Sequence, residues 1–299
     1  MLRISEIDDD SLLDAVRFIT QDEQKNITLS SLFYSDGKCA LPSATKYKIL
    51  LFRKQKETPF SSKLTKINTK DELKGVVSFS EHGQILHCLK FTSETEKAEF
   101  CKLLAEEIPH KQVFCIIGEK EGCELIASAV KKCRQETRNY MLMHYEGTTE
   151  KLQLPENQEL VKCGTTHLDN LAPLQKGYEI DEVLLDAADF EEAVCRLTLR
   201  KTLREQIVYA LFSESGKKAV AKAGTNARGL NWYQLGGIYT VPQCRNHGFA
   251  AFLAQTLALK NAEMGKKTAL FVKCANIPAQ KAYKKAGFVT DNPFEIIYY

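Results

Sequence analysis

The chain has ten cysteines but no CxxC pair: they are scattered at Cys39, Cys88, Cys101, Cys115, Cys123, Cys133, Cys163, Cys195, Cys244 and Cys274. That spacing argues against a disulfide framework, suits reduced thiols in a cytoplasmic enzyme and leads us to expect no metal site. There is no run of about 20 apolar residues to cross a bilayer. The opening MLRISEIDDDSLLDAV is acidic and amphipathic, so no signal peptide is read and the sequon Asn26-Ile27-Thr28 carries no weight. Nor do basic and aromatic residues interleave as a phosphate track would require, and the net charge is only +3. No nucleic-acid partner is therefore expected. Lys131-Lys132 and Lys284-Lys285 read as solvated helix faces.

What is present is an ordinary globular composition, 44% hydrophobic and 26% charged over 299 residues, enough for two domains. We divide them as 1–150 and 151–299. In the second, residues 168–185 and 190–203 read as helices, and 205–213 (EQIVYALFS) as a strand. A turn at Glu214-Ser215-Gly216 then leads to a strand partner over 218–224. A loop over 225–231 precedes a strand over 233–241. A helix from Phe249 stops at Gly265, a buried strand covers 267–273, a helix covers 276–286, and strands follow from Phe288. The first half repeats the series: helices over 11–18 and 27–34, strands over 47–53, 73–79 and 84–90, a helix over 96–108, a strand over 112–117, a helix over 121–132 and a strand over 139–145.

The stretch VPQCRNHGFAAFLAQTLA, Val241 to Ala258, raises a chemical question. Phe249, Phe252, Leu253, Thr256 and Leu257 fall on one helical face, so the helix begins just after Arg245, Asn246, His247 and Gly248. A helix start leaves about four amides without internal partners. Either Asn246 caps them, or arginine, glycine and the small Ala250 form a cradle for a phosphate. At the matching place the first half has Ser93-Glu94-Thr95-Glu96, whose carboxylates repel an anion and suit the positive end of a helix for structural reasons.

From about Thr166 onward the residues resemble the GNAT superfamily of acyl-CoA-dependent N-acyltransferases. Arg245-x-x-Gly248-x-Ala250 matches the family's pyrophosphate loop, and Asn276, Ala279, Tyr283 and Gly287-Phe288 match its later Asn-x-x-Ala-x-x-x-Tyr segment. The resemblance implies an α/β (α+β) fold of tandem GNAT-like domains, each a mixed, mostly antiparallel sheet flanked by helices. The second domain would be catalytic and the first degenerate, without a cofactor loop. It also implies acetyl-CoA (coenzyme A) as cofactor, its pantothenate arm lying where the strand ending at Val241 and that over 269–273 splay apart. Main-chain groups of Tyr239, Thr240 and Val241 would bond to the arm, and an amide of Thr240 or Val241 would meet the thioester carbonyl. Arg245, Asn246, His247, Gly248, Phe249 and Ala250 would hold the diphosphate, and Asn276 would orient the cofactor or cap its helix.

Tyr283 would protonate the leaving thiolate, the alternative being an amphipathic core tyrosine. The general base is open, because the strand over 269–273 carries no acid. Glu179, Asp181 and Glu182 could bind a cationic amine or relay its proton through water, or could form a solvated helix face. Asn226 and Arg228 could line the acceptor side. Cys244 has no histidine and carboxylate placed to activate it and reads as filler.

The expected reaction is direct acetyl transfer to a small-molecule or peptide amine acceptor in a ternary complex. The alternative is a non-catalytic acyl-CoA-binding sensor or scaffold. The N-terminal half could cap the acceptor cleft, form a homodimer or stabilise its neighbour.

Overall fold

The computed structural model describes residues 1–35, 37–55, 71–110, 112–213 and 218–299. The turn expected at Glu214-Ser215-Gly216 lies outside the described residues. The chain forms two compact units, Met1–Tyr140 with Pro293–Tyr299, and Met141–Asn292. The division expected at 150/151 lies here between Tyr140 and Met141, and residues 293–299 return to the first unit.

The first unit contains β1 (Leu2–Glu6), α1 (Asp9–Thr20), α2 (Ile27–Leu32), β2 (Tyr34–Ser35), β3 (Lys38–Cys39), β4 (Tyr47–Lys54), β5 (Glu72–Ser80), β6 (Gln84–Leu89), α3 (Glu94–Glu107), β7 (Cys115–Glu119) and α4 (Lys120–Ala127). The next strand, β8 (Glu136–Tyr145), is divided between the units. The second unit continues with β9 (Gln158–Cys163), α5 (Leu168–Tyr178), α6 (Glu192–Glu205), β10 (Val208–Ser213), β11 (Ala219–Arg228), β12 (Trp232–Thr240), α7 (Phe249–Glu263), β13 (Lys267–Lys273) and α8 (Ile277–Lys285). The last strand, β14 (Phe288–Tyr298), is also divided.

The repeated series holds in the sheets. The first unit pairs its strands in the order β1-β4-β5-β6-β7, the second in the order β9-β10-β11-β12-β13. Each run is antiparallel until its last pair, β6 with β7 and β12 with β13, which is parallel. A parallel pair needs a crossover, and α3 and α7 supply it. Central strands buried on both faces read as continuous apolar runs. In β4, Leu50 and Phe52 join a core with Phe100 and Leu104 of α3, while Ile49 and Leu51 are buried outside it. In β10, Leu211 joins the α7 core and Phe212 the core under α5 and α6.

Several sequence expectations are corrected. The edge strands β1 and β9 were not read. The helix expected over 168–185 stops at Tyr178 and gives way to a π-helical turn, Glu179–Val183. The strand β11 runs on to Arg228, so Asn226 and Arg228 lie on a strand rather than in a loop. The helix expected over 121–132 ends at Ala127, and Lys131-Lys132 lie beyond it.

Nor is α7 a one-faced helix. Ala251, Ala254 and Ala258 are buried with Phe249, Phe252, Leu253 and Leu257, and so are Gln255 and Asn261. The cause is a covering segment: Gln255 Oε1 accepts from the Leu152 amide at 2.7 Å and its Nε2 donates to Glu150 O at 3.1 Å.

Candidate active site

The two units treat their parallel pairs differently. In the second, β12 and β13 pair from Trp232–Lys267 to Leu235–Leu270 and then part. Past that point β12 continues through Gly236 and Gly237, the latter at φ +59°, where the register with β11 shifts. The amide of Val241 donates to Val220 O at 3.0 Å. Alternation along an antiparallel ladder then turns the amide of Thr240 to the other edge, into the opening between β12 and β13. Of the two amides expected to meet a carbonyl, Val241 is committed to β11 and Thr240 faces the split.

The first unit fills the corresponding gap. Its pairing ends at Leu86–Ile117, so the next residue of β6 is His87 where β12 has Gly236. The His87 imidazole lies against Gly118 and Gly122, where an added Cβ would come within 2.2 Å of it, and its Nε2 is 3.3 Å from Cys123 Sγ. Burial pushes this imidazole down to about 4, so it is neutral near pH 7.

The helix starts differ as sharply. At α3, Ser93 Oγ accepts from the Glu96 amide at 3.2 Å, and Glu96 reaches back to accept from the Thr92 amide at 2.9 Å. The Lys54 ammonium donates to Glu96 at 2.8 Å and, with the Thr92 amide, holds that buried carboxyl down at about 2. The capping site is already occupied by the chain's own acid. At α7 no side chain caps the first turn. The cap position belongs to Gly248 at φ +79°, not to Asn246, which itself sits at φ +67°. Nothing lies within 4 Å of where a Gly248 side chain would begin. Residues 245–248 are exposed while Phe249 is buried, so the first-turn amides of α7 open outward. His247 Nδ1 lies 2.8 Å from Arg245 O, bracing the loop, and Cys244 packs half-buried at the edge of the core. Amides of this kind, aimed from a loop with left-handed residues, form a site for an anion.

On the far side of the split, Asn276 caps α8, its Oδ1 accepting from the Ala279 amide at 3.1 Å. One turn on, Tyr283 is buried against Phe288, and burial pushes its phenol well above the usual tyrosine range. Glu179, Asp181 and Glu182 share the π-helical turn, Asp181 exposed and the other two half-buried, and each has a partner. Glu179 accepts from Gln175 Nε2 at 2.9 Å. Asp181 accepts from Tyr239 Oη and from an Arg245 guanidinium nitrogen, both at 3.0 Å. Glu182 meets Lys273 Nζ at 2.9 Å and accepts from the Asn276 side-chain Nδ2 at 3.5 Å. Gly177 lets the Tyr239 hydroxyl through, since a Cβ there would come within 2.5 Å of it.

Arg245 also donates through Nε to Thr240 O at 3.2 Å, so its guanidinium lies along the end of β12. The exposed Asn226 lies against Gly236, and Arg228 is exposed.

One residue escaped the sequence reading. Lys222 of β11 is 4% exposed, donates to Gly237 O at 2.8 Å and sits 4.8 Å from the Tyr178 ring. Burial pushes its ammonium down to about 8, against the attraction of Glu179 and Cys195. The available signal was a lone lysine inside the apolar run KAVAKAG.

Residues 209–295 match the family model described as FR47-like protein. No curated protein matches the chain. Among the solved structures that share its fold over nearly the whole length are the following three. An acetyltransferase from the GNAT family of Colwellia psychrerythraea is 15% identical, with 99% of each chain covered and a TM-score of 0.56. A Drosophila protein is 10% identical, covering 99% of this chain and 98% of its own, with a TM-score of 0.65. A tandem GNAT protein from the clavulanic acid biosynthesis pathway is likewise 10% identical, with the same coverage and a TM-score of 0.57. The chain therefore has the tandem GNAT-like fold, a mixed and mostly antiparallel sheet flanked by helices in each unit. The FR47-like match falls on its second half.

Proposed function

We propose that the second unit is an N-acetyltransferase that transfers the acetyl group of acetyl-CoA directly to an amine. The observation that carries this reading is the alignment of an uncapped α7 start with a split in which the Thr240 amide is turned toward the opening. In this reading the diphosphate of acetyl-CoA rests on the amides of Phe249 and Ala250, with Arg245, Asn246, His247 and Gly248 around it. One dipole contact contributes only about 0.3–1 kcal/mol when exposed, so several amides and apolar contacts along β12 must act together. The main chain of Thr240 receives the pantothenate arm, since Tyr239, two residues before Val241, is turned to β11 as Val241 is, and Asn276 borders the arm.

The chemistry follows from the same residues. The amine lone pair attacks the thioester carbonyl, the C–N bond forms, the C–S bond breaks and the thiolate takes a proton. We assign that proton to Tyr283 from the matching Asn-x-x-Ala-x-x-x-Tyr segment; burial keeps its phenol protonated and makes it a weaker acid, so the site must favour transfer to the thiolate. The amine's own proton leaves through Glu179 or Glu182, by way of water. Both sit in a turn that borders the split, and Glu182 is tied to Asn276.

A second reading, a non-catalytic acyl-CoA sensor or scaffold, draws on the absence of any carboxylate on β13. A thiol-release assay with acetyl-CoA across a panel of amines separates the two. Amine-dependent release supports transfer, and tight binding of acetyl-CoA with no amine dependence supports the sensor. Among the described residues no helix is long and apolar enough to cross a membrane, and all ten cysteines are unpaired. A cytoplasmic setting with reduced thiols completes this reading.

A further inference from the structure

The turn Glu179–Val183 reaches both lips of the split. On the β12 lip Asp181 holds Tyr239 and Arg245; on the β13 lip Glu182 holds Lys273 and Asn276. At the start of the turn, Glu179 acts electrostatically on the buried Lys222 of β11. Three acids in one turn thus answer three cations on three different segments. The π-helical turn carries acids that meet partners on both sides of the opening.

The two lips are not held alike. The Arg245 and Asp181 side chains are 48% and 40% exposed, those of Lys273 and Glu182 only 26% and 31%. An exposed ion pair is weak and easily exchanged, and an arginine exchanges a carboxylate for a phosphate readily because both accept its paired N–H groups. The Arg245 guanidinium remains anchored to Thr240 O through Nε while another of its nitrogens serves Asp181. It can therefore change anion without leaving its place beside the α7 loop.

We propose, resting on the acyl-CoA reading above, that Asp181 sets the specificity of the slot. Its carboxylate stands on Arg245 where a ligand's diphosphate would bind, so a diphosphate-bearing ligand takes Arg245 from the turn and leaves Asp181 on the Tyr239 hydroxyl alone, and a ligand without one does not. The turn then pivots on the Glu182–Lys273 pair. Asp181 is the internal competitor of the anion, and it couples occupation of the diphosphate site to loosening of the turn over the end of β12.

Calorimetry with CoA, ADP and pantetheine on the wild-type chain and on Asp181→Asn tests this. The substitution should tighten CoA and ADP roughly two- to fivefold, the range an exposed pair allows, and leave pantetheine unchanged. Hydrogen exchange in the wild-type chain should show residues 179–183 losing protection when ADP is added. Equal or weaker binding of CoA and ADP by Asp181→Asn, with wild-type binding intact, would overturn the competitor role and leave the acyl-CoA reading standing. No binding of CoA or ADP by either protein would overturn both.

Discussion

Tyr283 and Glu96 are both buried polar side chains, and their surroundings push their protons in opposite directions. Around Tyr283, burial and the neighbouring Tyr178 and Glu182 keep the phenol protonated. Tyr283→Phe should retain acetyl-CoA binding and lower turnover by about 100-fold or more, read as kcat in the thiol-release assay. Unchanged turnover would remove Tyr283 from the reaction.

Around Glu96, the Lys54 ammonium and the Thr92 amide hold the carboxylate in its charged form. Its folded value, about 2, lies below the ordinary 4.5, so its contribution is complete above pH 4.5 and is lost as pH falls through about 2. Glu96→Gln should therefore destabilise the first unit at pH 7 by on the order of 2 kcal/mol, with the difference vanishing toward pH 2 in urea unfolding. His87 adds to the acid sensitivity at higher pH. Its folded value, about 4, lies below 6.5, so the unfolded chain takes up the proton first and stability falls as pH drops from 6.5 toward 4.

At the scale of elements, the contrast between α3 and α7 is what leads us to propose the anion site in the second unit. One helix start is closed by Ser93 and Glu96, the other left open by Gly248. Gly248→Glu puts a carboxylate where the anion would lie and forces a side chain onto a left-handed backbone. It should abolish CoA binding while leaving the thermal unfolding midpoint within a few degrees of wild type, because the loop is exposed; retained binding would rule out the loop as the diphosphate site.

Much of this was legible in the sequence, because apolar period and glycine placement are local properties. The start of α7 at Phe249, its stop before Gly265 and the bounds of β13 were read directly from them. The edge strands LRISE and QELVKC escaped because edges carry polar residues, and only their partners β4 and β10 define them. The end of α5 was overrun for a related reason. The spacing in YEIDEV continues a helical pattern, and only contacts with Arg245, Lys273 and Asn276, distant in sequence, favour the π-helical turn. Lys222 was missed because burial of a lysine depends on the packing of α5 and α6 over β11, which no local pattern reports.

At the scale of the whole molecule, two units with the same strand order have diverged at two places, the gap beyond the parallel pair and the start of the crossover helix. His87 fills the first unit's gap and Ser93 with Glu96 closes its helix; in the second unit Gly236 carries no side chain there, with the exposed Asn226 lying against it, and Gly248 leaves the helix start open. The account therefore requires one acyl-CoA site per chain, not two. Isothermal titration of the full chain with acetyl-CoA counts the sites. The account predicts a stoichiometry of one per chain, lost entirely in Gly248→Glu; two sites, none, or one that survives that substitution would contradict it.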